Sequence, residues 1–201
     1  RVPKSNSNII QNANALSRVP IEYPSGNIST PAPSIPSTLN KDSIKKYQIP
    51  YSAYHFFTFC SSGKTQALNL INNFPIDSNS LAPVIDLEFL GKCNENKQDS
   101  FDVKKEIKDF LDTIQQHYNK TPIIYTTYEF YDIYLVNDFK EYHYWIRDLF
   151  KEPKLSDNKN FILWQYSNCG KINGIDGNVD MNVFKGNIEN LKSLSNHKSE
   201  F

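Results

Sequence analysis

From residue 41 onward, strand-like and helix-like segments alternate along the chain, and this restricts the fold more than any other feature. A strand that returns parallel to its predecessor needs a crossover of roughly a dozen residues or more, usually a helix. Segments 51–57, 83–89, 121–126, 143–146 and 161–166 have strand character, while 64–73, 102–118 and 128–135 read as helices between them. The segment 102–118 carries Val103, Ile107, Phe110, Leu111, Ile114 and Tyr118, at offsets of 4, 7, 8, 11 and 15. Those offsets fall on one face of an α-helix, so the segment presents a single apolar stripe to a core. The pattern predicts an α/β fold, either a barrel or an open parallel sheet. A chain of 201 residues is long enough for one domain with one substantial core.

The front of the chain does not share this pattern. Residues 1–40 are dominated by Asn, Ser and Pro, and the run PAPSIP at 31–36 is incompatible with a helix interior or a central strand. The expected organisation is a divergent, loop-rich segment at 1–40 with one short strand at 19–23, a folded unit at 41–193 and a polar tail at 194–201. A short helical turn at 42–46 leads into the first strand.

Charge and cysteine content remove several function classes. Lys plus Arg and Asp plus Glu number 22 each, so no net field draws the chain to nucleic acid or an anionic membrane. No stretch approaches the roughly 20 apolar residues that span a bilayer. Cys60, Cys93 and Cys169 lie too far apart for a zinc knuckle or a Cys-x-x-Cys redox pair. No metal or cofactor is expected.

The segment PVIDLEF at 83–89 holds two acids inside an apolar run. Residues i and i+2 of a strand share a face, so Asp86 and Glu88 point one way while Ile85, Leu87 and Phe89 point the other. The pair lies near the strand's end, before Gly91, and in parallel barrels the C-terminal strand ends carry the chemistry. Two neighbouring carboxylates resist joint ionisation, which favours one staying protonated as a donor. Glycoside hydrolysis needs such an asymmetric pair. From the tripeptide alone, a solvent-facing acidic strand end or a divalent-metal site remains the alternative to catalysis. Later segments add Tyr54, His55, Tyr125, Trp145, Trp164 and Gln165 as candidate sugar-binding groups, each of which also suits ordinary core packing.

Taken in order, IPYSAYHFF from Ile49, Gln66 with Ala67, APVIDLEF from Ala82, TPIIYTT from Thr121, YWIRDLF from Tyr144 and ILWQYSNCGKINGIDGNVDMNVFKG from Ile162 resemble glycoside hydrolase family 25, the Chalaropsis- and Cellosyl-type lysozymes. The resemblance spans roughly residues 44–186. It implies an irregular TIM-like (β/α)5(β)3 barrel, in a single domain, that cleaves the β-1,4 bond between N-acetylmuramic acid and N-acetylglucosamine in peptidoglycan. It makes Glu88 the proton donor, Asp86 either the nucleophile or the group orienting the substrate N-acetyl oxygen, and Asp180 a late acid lining the site. Tyr125 and Trp145 match cleft aromatics, and Asp176 is a turn residue.

The family's opening strand, with its Asp, following Ser and Gln-Gly, has no counterpart, since no Asp precedes Asp42. Two outcomes stay open: a hydrolase that works with Asp86, Glu88 and Asp180, or a degenerate member that binds glycan without cutting it well. Chitin-type hydrolysis by the same pair is a third. In this frame the cysteines fall in loops around one rim, which implies a Cys60–Cys93 disulfide with Cys169 free or competing for it, or else three unpaired thiols. Such a disulfide implies an oxidising compartment, so a secreted or periplasmic location is expected. The resemblance implies the peptidoglycan glycan strand as partner, and a monomer is expected.

Overall fold

The computed structural model describes residues 50–89, 102–172 and 177–195. The strand expected at 19–23, the helical turn at 42–46, Gly91, Cys93 and Asp176 lie outside these residues. The elements run β1 (Tyr54–Phe56), α1 (Gly63–Asn73), β2 (Val84–Leu87), α2 (Val103–Tyr118), β3 (Ile123–Thr126), α3 (Tyr128–Phe130), β4 (His143–Arg147), β5 (Leu163–Gly170), β6 (Val179–Phe184) and α4 (Ile188–Ser193). Helix α3 continues directly as a π-helical turn, Tyr131–Leu135.

The strands form one sheet in the order β1-β2-β3-β4-β5-β6, curled into a half-barrel. Neighbours pair in parallel from β1 to β5, and β6 runs antiparallel to β5. The α/β class expected from the alternation is therefore the class observed. The first strand is shorter than the apolar run that suggested it, because Tyr51 makes only an isolated bridge to Ser80. Strand β6 is not legible from polarity because VDMNVF puts its two polar residues, Asp180 and Asn182, on the same face as buried Phe184, while Val179, Met181 and Val183 share the other, only partly buried face.

Strand alternation gives the sheet two apolar faces. Ile85, Leu87, Ile124, Tyr144 and Ile146 face the helices, and all six apolar-stripe residues of α2 are buried against them. Each such side chain contributes about 1.5–3 kcal/mol through burial. The opposite, concave face is lined by Val84, Ile123, Tyr125, Trp145, Leu163 and Phe184, with Leu194 after α4 packed in.

Helix α2 starts where Asp102 accepts a hydrogen bond from the Lys105 amide (3.1 Å) and stops where Asn119 adopts φ 53°, the left-handed conformation that Asn tolerates. Its first-turn Glu106 also accepts the Gly63 amide at 2.7 Å, so one carboxylate joins the N-terminal turns of α1 and α2.

Candidate active site

The register of the sheet assembles the site. Phe56, Asp86, Tyr125 and Trp145 lie side by side across β1 to β4, so their side chains share the concave face. Asp86 is 4% exposed within β2, and partly exposed Glu88 follows one residue beyond its end. Continuing the pleat puts Glu88 on the same face, one step nearer the C-terminal rim. At that level Arg147 pairs with Gln165, and Gln165 with Asn182.

The floor of this face is a cross-strand hydrogen-bond lattice. Tyr125 donates its hydroxyl to Gln165 Oε1 at 2.6 Å, and Trp145 donates Nε1 to Asn182 Oδ1 at 2.9 Å. The two rings meet edge to face, 5.1 Å between centroids. Both are nearly buried, so they form the cleft floor with their polar tips held. Asp180 lies two residues before Asn182 on β6, and its carbonyl accepts from Asn182 Nδ2 at 3.4 Å. Because β6 runs antiparallel, that step carries Asp180 toward the rim that Glu88 occupies.

Tyr54, Tyr125, Trp145, Gln165, Asp86 and Asp180 thus belong to one face, with Glu88 at its edge. His55 and Trp164 do not, and alternation is the reason: each is the immediate neighbour of a concave-face residue. His55 is 1% exposed among the helices, contacts Phe110 (5.2 Å between ring centroids) and shares a 3.0 Å hydrogen bond with Gln66. Burial pushes its imidazole below the ordinary histidine range, and the Gln66 hydrogen bond offsets part of that shift. Trp164 packs against the helix-side core and donates Nε1 to the Asp148 carbonyl at 2.7 Å.

Two residues that the sequence did not single out organise the rim. Asn182 was legible in principle, since it sits two residues after Asp180 and must share its face. Asp148 directly follows β4 and is 7% exposed, with its carboxylate accepting the Phe150 amide (2.9 Å), the Lys151 amide (3.0 Å) and the Tyr128 hydroxyl (3.0 Å). Burial opposes its ionisation, but these donors outweigh that cost and hold the carboxyl below the usual aspartate range. A depressed native-state pKa stabilises the fold above the unfolded value near 4 and loses that contribution as pH falls through the native value. Asp148→Asn is therefore expected to lower stability by about 1–2 kcal/mol at pH 7. Urea melts of both proteins at pH 7 and pH 3 test this; the gap should narrow at the lower pH.

Cys60 is disulfide-bonded and Cys169 is free and exposed, while Cys93 lies outside the described residues. A cavity of about 440 Å³, lined by Lys108, Asp112, Asn119, Lys120, Glu141 and Tyr142, opens where the chain enters β3 and β4. That is the opposite end of the strands from Glu88. Among the described residues no helix is long and apolar enough to cross a membrane.

A family model described as glycosyl hydrolases family 25 matches residues 37–175. Among solved structures, a family 25 glycosyl hydrolase from Bacillus anthracis superposes with a TM-score of 0.70 and 38% identity, over 78% of this chain and 73% of that one. A bacterial lysozyme from Streptomyces coelicolor gives 0.68 at 24% identity, covering 81% and 79%, which shows a shared fold. The uncharacterized protein YegX of Escherichia coli K12 is 30% identical over 142 residues, 71% of this chain. The chain spans about half the length of the curated relatives it matches. With two thirds of its residues under the family model and the acid pair on the concave face, the chain belongs to glycosyl hydrolases family 25.

Proposed function

We propose that this chain is a muramidase that hydrolyses the β-1,4 bond between N-acetylmuramic acid and N-acetylglucosamine in peptidoglycan. The observation that carries the proposal is the placement of Asp86 and Glu88 on one face, the first enclosed in the sheet and the second at its rim. Glu88 protonates the glycosidic oxygen as the bond to the anomeric carbon breaks. Asp86 meets the positive charge that develops on the sugar, either by attacking the anomeric carbon or by orienting the substrate's N-acetyl oxygen to do so. Water then completes the hydrolysis, giving its proton back to the Glu88 carboxylate. Asp180 adds negative potential to the same rim. The Tyr125–Gln165 and Trp145–Asn182 hydrogen bonds hold the floor in place without reorganisation during the reaction.

Support also comes from the Bacillus anthracis protein, a family 25 glycosyl hydrolase that is 38% identical. The disulfide at Cys60 favours an oxidising compartment, outside the cytoplasm. Digestion of purified peptidoglycan, with the new reducing ends identified, tests the proposal. Muramic acid at the new ends is the expected result. Glucosamine ends would overturn the bond assignment, and wall binding without any release would favour a glycan-binding protein on this fold.

A further inference from the structure

Phe150 stands apart from every other apolar side chain in the described residues. It is 96% exposed, whereas the remaining exposed large hydrophobics, Leu68, Ile76, Ile133 and Ile188, reach at most 63%. Scattered surface apolar residues are ordinary, but an almost completely exposed Phe is not a packing residue of any kind.

Its backbone is nevertheless held firmly. The Phe150 amide donates to the buried Asp148 carboxylate, which also takes the Lys151 amide and the Tyr128 hydroxyl. The Asp148 amide donates to the Gln165 carbonyl at 3.1 Å, and the Asp148 carbonyl accepts from Trp164 Nε1. The Tyr128 hydroxyl in turn accepts the Lys154 amide at 3.1 Å. One turn is thereby fastened to the segment after β3, to β5 and to the chain beyond it. A near-wholly buried carboxylate holds in place a turn whose tip is an aromatic ring in water. Fixing the backbone removes most of the ordering entropy that a ligand would otherwise meet, and Phe itself has only two rotatable side-chain bonds.

The turn is also at the right end of the molecule. It follows the C-terminal end of β4, as Glu88 follows the C-terminal end of β2, and the two strands lie two places apart in the parallel sheet. That is about 10 Å across the sheet. We propose that Phe150 is a glycan-contact residue, stacking its ring on the C–H face of a pyranose in the strand that extends from the acid pair. This rests on the glycan-hydrolase proposal above. The apolar C–H face of a sugar ring matches an aromatic face, while its hydroxyls stay in water at such an open position.

The test is sedimentation of the protein with purified insoluble peptidoglycan, performed in a Glu88→Gln background so that the polymer is not digested. Phe150→Ala is expected to weaken binding roughly 3- to 10-fold and Phe150→Trp to retain it. Equal binding by all three proteins would overturn the assignment. Sedimentation velocity should show the same mass for wild type and Phe150→Ala; a wild-type dimer lost in Phe150→Ala would assign the ring to a second copy instead. Absence of hydrolysis by wild type would sink the muramidase proposal but leaves the sedimentation comparison readable, so the two failures are distinguishable.

Discussion

Glu88→Gln is expected to lower the release of reducing ends from peptidoglycan by about 10²- to 10⁴-fold, the range that a positioned general acid supplies. Gln keeps the size and hydrogen-bonding reach of Glu, but its amide N–H is too weak an acid to protonate the leaving oxygen. The loss should therefore appear mainly in kcat, with binding to the polymer retained. Stability should change by less than about 0.5 kcal/mol, because Glu88 is partly exposed and lies beyond the last residue of β2. Thermal melting with parallel digestion assays separates the outcomes: normal melting with lost turnover supports the assignment, and normal turnover removes Glu88 from the chemistry.

Gly63→Ala is expected to cost about 3 kcal/mol, although it adds a single methyl group. A Cβ built at Gly63 would lie 1.7 Å from the Glu106 carbonyl oxygen and 2.7 Å from its carbon. Both atoms belong to the backbone of α2, so no side-chain rotation relieves the clash and the two helices must separate. Separation would also stretch the 2.7 Å bond from the Gly63 amide to the Glu106 carboxylate and disturb the stripe that includes Ile107 and Phe110. For a chain of this size the cost corresponds to a fall in Tm of roughly 6–12 °C. Differential scanning calorimetry checks this, and a Tm within a degree of wild type would show that α1 slides freely on α2.

Much of the fold was legible because it depends on local periodicity. The stripe from Val103 to Tyr118 sets one helix face, and the structure buries those same six residues. Strand alternation likewise predicted that Asp86 and Glu88 share a face, since a pleat fixes that relation without reference to the rest of the chain. The same rule was available for the pairs Tyr54 and His55, and Trp164 and Gln165. In each pair only one member can face the cleft, and register with Asp86 and Asn182 selects Tyr54 and Gln165. Which member faces inward depends on pairing with strands far along the chain, so it cannot be read from the dipeptide.

By itself, then, the sequence determined the α/β class, the α2 stripe, the shared face of the acid pair and, through its ordered motifs, the family. Those properties follow from spacings of a few residues or from motifs contiguous in the chain. Only the tertiary structure decided that His55 and Trp164 turn toward the helices, that Asn182 holds Trp145, that Asp148 fastens the turn bearing Phe150, and that Gly63 admits no side chain. Each of these requires atoms from segments separated by many residues to meet within a few ångströms, except the Phe150 turn, whose local hydrogen bonds matter only because Tyr128, Trp164 and Gln165 converge on Asp148. Local pattern specifies which elements form and which way they face; the packing of those elements specifies which side chains are left to do chemistry.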